Sequence, residues 1–206
     1  MRYTENEKEE FFGQKVNLTV TGQLHGEAYA QAFRNIYTFG PTFRAENSNT
    51  NRHCTEFTSV DLEFAYIDSY VDVMNLEASL LTYVLKRVKE NYGEIIKEKF
   101  GKEVIVPEKE FPVIKLQDLY QELNKRYGYQ IPTEDVGDMN SETEKLAYQY
   151  AMEEYNSEFI FITDFNKAKR AFYHLRENDI PQGFDLLYRG TEITTGAQRE
   201  HRYEEL

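Results

Sequence analysis

Hydrophobic and polar positions along this chain follow two periods, and the changes of period mark its elements. Residues 15–21 (KVNLTVT) are rich in β-branched side chains and predict a strand, and 23–34 (QLHGEAYAQAFR) predict a helix with Leu24, Ala28 and Gln31 on one face. Residues 36–39 predict a strand broken by the turn pair Gly40-Pro41, and 43–46 a second short strand. The polar run 47–51 predicts an exposed loop, and the alternating stretch 55–67 a long returning strand, so this region reads as a hairpin. Over 70–99, Val73, Leu76, Leu80, Val84 and Val88 recur at helical spacing, with Leu81 and Leu85 widening the stripe. The charged stretch 93–114, with Pro107 and Pro112, predicts a loop. Helices at 116–127 and 142–155 follow, then strands at 158–163, 171–174, 184–188 and 192–195. This order predicts an α+β fold, a mainly antiparallel sheet flanked by helices, with a helical insertion at about 93–155 of a single domain spanning 1–206.

Composition narrows the class. The chain has 206 residues, 40% of them hydrophobic, with 16 Tyr and 14 Phe, enough for a buried core. The single cysteine, Cys54, excludes an internal disulfide and fits a reducing cytoplasm. No apolar run approaches the roughly 20 residues that span a bilayer, and the first residues lack a signal-peptide core, so a cytoplasmic protein without a membrane partner is expected. A formal charge of −12 opposes a dedicated nucleic-acid module, though not an enzyme that meets RNA through one local patch, and it suits a site where Mg²⁺ neutralises carboxylates.

Three clusters carry candidate chemistry. In the hairpin at 43–57, Arg44 and Glu46 share a face because side chains alternate along a strand, and Arg52, His53 and Phe57 return toward them. A guanidinium fork for phosphate and a ring for a base would let such a hairpin grip a nucleotide, but ordinary surface ion pairs explain the same residues. Asp185 and Glu192 on successive strands, with the Thr195 hydroxyl nearby, could hold Mg²⁺ through oxygen ligands, with Arg199 beyond to pair with a polar substrate. Solvated carboxylates are the plain alternative. The third is the corner Thr21-Gly22-Gln23, where helix capping is the simpler reading.

Together the clusters resemble the catalytic domain of aspartyl- and asparaginyl-tRNA synthetases, of the class II aminoacyl-tRNA synthetases. YTFGPTFRAENSNTNRHCTEF resembles the second class-defining motif, FDLLYRGTEITTGAQREHRYEEL the stretch before the third, and LTVTGQLHGEAYAQAF the amino-acid-pocket corner of asparaginyl enzymes. The resemblance covers most of the chain and is weakest at 93–140. It implies a partial class II catalytic fold, with ATP as substrate and Mg²⁺ as cofactor. It also implies asparagine or aspartate as the activated amino acid, tRNA(Asn) or tRNA(Asp) as acceptor, and a homodimer for the full-length protein. By this resemblance Arg44 would hold the α-phosphate of ATP and the amino-acid carboxyl. Glu46 would accept from adenine or the tRNA end, Arg52 and His53 would bind the outer phosphates, and Phe57 would stack on adenine. Asp185, Glu192 and Thr195 would coordinate Mg²⁺, Glu192 thereby also serving ATP. Gln23 and Asp61 would orient the amino acid's backbone groups, and Arg199 would face its side chain.

The departures from the family pattern shape the remaining expectations. The first and third class-defining motifs and the anticodon-binding barrel lie outside these residues, so a fragment with impaired ATP binding is expected. Aspartyl enzymes generally carry a lysine three positions after the corner glutamine, and here that position is Gly26, which leans toward asparagine. TEFTSVDLEFAYID and the Arg199 region look aspartyl-like instead. The mixture also fits an asparagine-synthetase-like paralogue using an aspartyl adenylate, and a non-catalytic nucleotide-binding relative is the remaining alternative.

Overall fold

A computed structural model describes residues 16–45 and 54–206. The chain divides into two compact units, Met1–Tyr66 and Ile67–Leu206.

In the first unit, α1 (Gln23–Phe33) precedes an antiparallel hairpin of β1 (Asn35–Phe43) and β2 (Glu56–Phe64). The strand expected at 15–21 is not found over its described part, since Val16–Thr21 carry no regular structure and Lys15 lies outside the described residues. A β-branched composition states a preference for a pleated surface, but the backbone bond from Phe43 N–H of β1 to Thr19 O does not extend into a ladder. Gly40-Pro41 does not break the hairpin either. Both residues sit within β1, paired with Ser59 and Thr58. Of the second strand expected at 43–46 only Phe43 belongs to β1, Arg44 and Ala45 carry no regular structure, and Glu46 lies outside the described residues. Proline lacks only a donor, and a strand tolerates that loss where the missing N–H would point away from its partner.

In the second unit a four-stranded sheet has the order β3-β4-β7-β8. Its strands are β3 (Val113–Lys115), β4 (Phe159–Thr163), β7 (Gly183–Tyr188) and β8 (Thr191–Ala197), and a small hairpin of β5 (Arg176–Glu177) and β6 (Ile180–Pro181) stands apart. β3 and β4 are parallel and the other pairings antiparallel, as the α+β expectation requires. One face packs on α2 (Tyr70–Phe100) through Met74, Phe111, Phe159, Phe161, Phe184 and Leu186. The other packs on α3 (Leu116–Tyr127) and α4 (Ser141–Tyr155) through Leu119, Leu123, Ala147, Ile160, Ile162 and Leu187. With helices on both sides, all five residues of β4 are buried, and phenylalanine and isoleucine alternate between the two cores.

The start of α2 is set by Ser69, whose hydroxyl accepts from Val71 N, while the Asp72 carboxylate accepts from Ser69 N. The helix spans the whole of the expected 70–99 stretch, so the loop expected over the overlapping 93–114 begins only after Phe100, at Gly101. Only part of its predicted stripe reaches the core: Val73, Leu81 and Leu85 pack inward, while Leu76, Leu80 and Val84 stay exposed. The expected strand at 171–174 is a turn with a single bridge, His174 to Arg199.

Leu119 is fully buried between α3 and the sheet. Leu119→Ala should cost about 2–5 kcal/mol, read as a lower urea midpoint at unchanged slope.

Candidate functional site

In the first unit the register sets one functional face. Thr38 pairs with Asp61, Gly40 with Ser59 and Thr42 with Phe57, so Asp61, Ser59 and Phe57 point to one side of the hairpin. Arg44 continues that side just beyond β1, where its N–H donates to Thr55 O and its guanidinium carbon lies 5.4 Å from the Phe57 ring centroid. The Ser59 hydroxyl donates to Asp61 Oδ1 at 2.6 Å and fixes that carboxylate. Helix α1 covers the far end of the same face. Its first residue, Gln23, donates its N–H to Thr21 Oγ1, so the polar corner does serve a local turn. Gly26 lies against Glu63, and a β-carbon at Gly26 would come within 2.9 Å of Glu63 Cγ. A lysine there would force Glu63 aside. The described part of this unit thus brings together Gln23, Arg44, Phe57 and Asp61, whereas Glu46, Arg52 and His53 lie outside the described residues.

In the second unit the decisive feature is an irregularity. Asp185 pairs with Thr195 and Leu186 with Thr194, but Leu187 pairs with Glu192, leaving Ile193 as an extra residue on β8. Glu192 and Thr195 are three residues apart and would face opposite sides of a regular strand. The bulge turns both to the side of Asp185 and Leu187. The hairpin turns through Arg189 and Gly190, both at positive φ, the geometry of a two-residue turn matched to strand twist.

Asp185 is 2% exposed, and its Oδ2 accepts from Arg170 Nη2 at 2.5 Å. The other arm, Arg170 Nη1, donates to Thr195 Oγ1 at 3.4 Å, and the guanidinium stacks 3.6 Å over the Phe165 ring. Asp185 Oδ1 is buried and has no hydrogen-bond partner. Lost hydration, and after it the Asp185 carboxylate, push Glu192 up to about 7, although the residue as a whole keeps an exposed surface. On the opposite face Glu77 of α2, also raised by burial, bonds the Thr194 side chain. Two carboxylates and a hydroxyl on one face, one oxygen buried and unsatisfied, form an all-oxygen donor set suited to Mg²⁺. Among the described residues no cluster of three or more His, Cys, Asp and Glu side chains offers a fuller metal cage, so phosphate oxygens and water would complete the shell.

Arg170 escaped the sequence reading, which assigned a strand to the residues just after it. The available signal was a lone arginine amid Phe165, Phe172 and Tyr173. His174 escaped too. Burial, then Arg199, Arg170 and Arg176, hold its imidazole down at about 4, and its Nδ1 is buried without a partner. Arg199 lies 5.1 Å over the Tyr173 ring and bridges to His174 through the backbone.

Comparison with known proteins supplies the family. A profile described as tRNA synthetases class II (D, K and N) matches residues 2–206. The chain belongs to that family. It is 37% identical over 201 residues to an aspartate--tRNA(Asp/Asn) ligase of Aeropyrum pernix, covering 95% of this chain and 45% of that protein. To an asparagine--tRNA ligase of Clostridium novyi it is 39% identical over 211 residues, covering 96% and 44%. It therefore spans about half the length of these class II relatives. Among solved structures it resembles the aspartyl-tRNA synthetase of Entamoeba histolytica, with a TM-score of 0.81, 28% identity, and 91% and 39% of the two chains covered. It also resembles the Pyrococcus horikoshii asparaginyl-tRNA synthetase complexed with asparaginyl-adenylate, with a TM-score of 0.79, 26% identity, and 95% and 45% covered. The class II catalytic architecture expected from the sequence is the architecture found.

The His174 environment has a pH signature. Unfolded histidine titrates near 6.5 and His174 near 4, so the unfolded chain binds more protons between these values. Stability is full above about 6.5 and falls as the pH is lowered toward 4. Glu192 works with the opposite sign over an overlapping range, so a comparison at fixed Glu192 isolates the histidine. His174→Gln should gain melting temperature relative to the parent, on the order of a few degrees, between pH 7 and pH 4.5 in circular-dichroism melts. A difference that stays constant with pH would rule out a neutral, enclosed imidazole.

Proposed function

We propose that this chain supplies the amino-acid activation chemistry of a synthetase that forms asparaginyl-adenylate from asparagine and ATP, for transfer to tRNA(Asn). The observation that carries the amino-acid choice is Gly26. Aspartyl relatives by resemblance place a lysine here against the substrate carboxylate, and in this fold the position is filled by Glu63 packing on the bare backbone. Without that cation a charged side chain loses its counter-charge, and a neutral carboxamide loses little. The Pyrococcus structure, solved with asparaginyl-adenylate, accords with this choice. The 37% identity to a ligase named for aspartate supports aspartate as the second reading.

In this reading Arg44 spans the α-phosphate and the amino-acid carboxyl, so its charge meets the phosphorus as negative charge develops there. Phe57, already in contact with Arg44, stacks on adenine, and Glu46, Arg52 and His53 serve the base and outer phosphates. Gln23 and the Ser59-fixed Asp61 orient the amino acid, and Arg199 faces its side chain. Asp185, Glu192 and Thr195 would hold Mg²⁺, which supplies charge neutralisation on the polyphosphate. Alignment and charge complementarity carry the reaction, with no covalent enzyme intermediate. The helical insertion within one catalytic domain, the homodimer and the cytoplasmic setting belong to the same proposal. No helix among the described residues is long and apolar enough to cross a membrane.

Exchange of pyrophosphate into ATP, run with asparagine and aspartate in parallel, tests it. Asparagine should drive the greater exchange, and Arg44→Ala should lower it by about 10²–10³-fold with the fold intact by circular dichroism. Greater exchange with aspartate would select the second reading. Failure of either amino acid to drive exchange, together with no binding of asparaginyl- or aspartyl-adenylate analogues, would leave a nucleotide-binding relative without activation chemistry.

A further inference from the structure

The second unit contains a cation that the activation chemistry has not used. Arg170 reaches the carboxylate face from the segment between β4 and β5, and its side chain is 15% exposed. Its two arms end on two of the oxygen donors named above, Nη2 on Asp185 Oδ2 and Nη1 on Thr195 Oγ1, while Phe165 supports the flat side of the guanidinium. The result is asymmetric. Asp185 Oδ2 is taken, and Oδ1, equally enclosed, has no hydrogen-bond partner. A buried carboxylate oxygen left unsatisfied costs stability unless something else occupies its lone pairs.

We propose that Arg170 is a positioning residue that makes Asp185 a one-oxygen metal ligand. By holding Oδ2 it fixes the carboxylate rotation, aims Oδ1 at the incoming divalent cation, and keeps the Thr195 hydroxyl beside it. Arg170 does not touch the cation itself. Two properties suit it to the task. A planar fork can hold two acceptors at a fixed separation, which a lysine ammonium cannot reproduce. Its charge also offsets that of Asp185, so the carboxylates can share a face before a cation arrives, as the pairing of Asp185 with Thr195 and Leu187 with Glu192 requires. Partners that orient a ligand in this way typically account for 10–100-fold in metal affinity.

This rests on the reading that Asp185 and Glu192 bind a divalent cation, and the experiment separates the two. Mn²⁺, a paramagnetic substitute for Mg²⁺, is titrated into the chain and free ion is followed by electron paramagnetic resonance. The parent should bind Mn²⁺ and Asp185→Asn should not. Arg170→Met should weaken binding about 10–100-fold. Arg170→Lys, which keeps the charge but loses the fork, should recover part of that loss, and Phe165→Leu should weaken binding by less than Arg170→Met. Melting curves on each variant separate lost ligand geometry from lost fold. If Arg170→Met does not fold, the decision passes to Arg170→Lys and Phe165→Leu, and parental affinity in both would overturn the proposal. A parent that takes up no more Mn²⁺ than Asp185→Asn overturns the metal reading and this inference with it. A parent that binds, alongside a folded Arg170→Met that binds equally or more tightly, overturns the inference alone and makes Arg170 a structural or competing cation.

Discussion

Side chains along a strand alternate with a period of two, and a site that needs residues three apart on one face must break that rule. On β8 the break is Ile193, the residue left over when Leu186 pairs with Thr194 and Leu187 with Glu192. Without it, Glu192 and Thr195 could not both join Asp185, and one would turn toward α2, among Phe159, Phe161 and Phe184. Everything polar in the second unit's site follows from that offset. Asp185 comes close enough for its charge to add to the burial that raises Glu192, and Thr195 falls within reach of the same guanidinium as Asp185. Thr194, on the other face, is left to bond Glu77.

The sheet can carry such a site because its remaining residues are held from both sides. β4 is buried along its whole length, and the paired faces of phenylalanine on α2 and isoleucine on α3 and α4 leave little freedom for β7 to slide. Into this enclosed setting the fold places a buried ion pair, Arg170 with Asp185. Desolvation offsets much of the attraction between two such charges, so the pair is better understood as fixing geometry than as adding stability. His174 is held neutral for a related reason, first by its burial and then by Arg199, Arg170 and Arg176, beside which a further cation would be repelled.

Much of this was legible in the sequence, and the gaps have physical causes. The helices at 116–127 and 142–155 and the strands of 158–163, 184–188 and 192–195 emerged close to their observed bounds, because each has a clear period and a partner layer that enforces it. Val16–Thr21 looked like a strand and is not one, and Gly40-Pro41 looked like a break and lies inside β1. Composition reports preference, whereas pairing decides. β3 was invisible because three residues show no period. Among the candidate residues of the two units, Arg44, Phe57, Asp61, Asp185, Glu192 and Thr195 stood out because they lie in recognisable runs. Their grouping on faces did not, since the register shift that aligns Glu192 with Thr195 leaves no mark in the local pattern. Arg170 acts on a residue fifteen positions away through a turn-rich segment, a contact that no periodicity reports.

The bulged register is tested most directly by a ¹³C NMR titration of the Glu192 side-chain carboxyl in the parent chain and in Asp185→Asn. With both carboxylates on one face, Glu192 should titrate near 7 in the parent and move down in the variant, though not fully, because its lost hydration remains. A midpoint near the ordinary glutamate value of about 4.3, unchanged by Asp185→Asn, would place the two carboxylates on opposite faces and contradict the register on which the site depends.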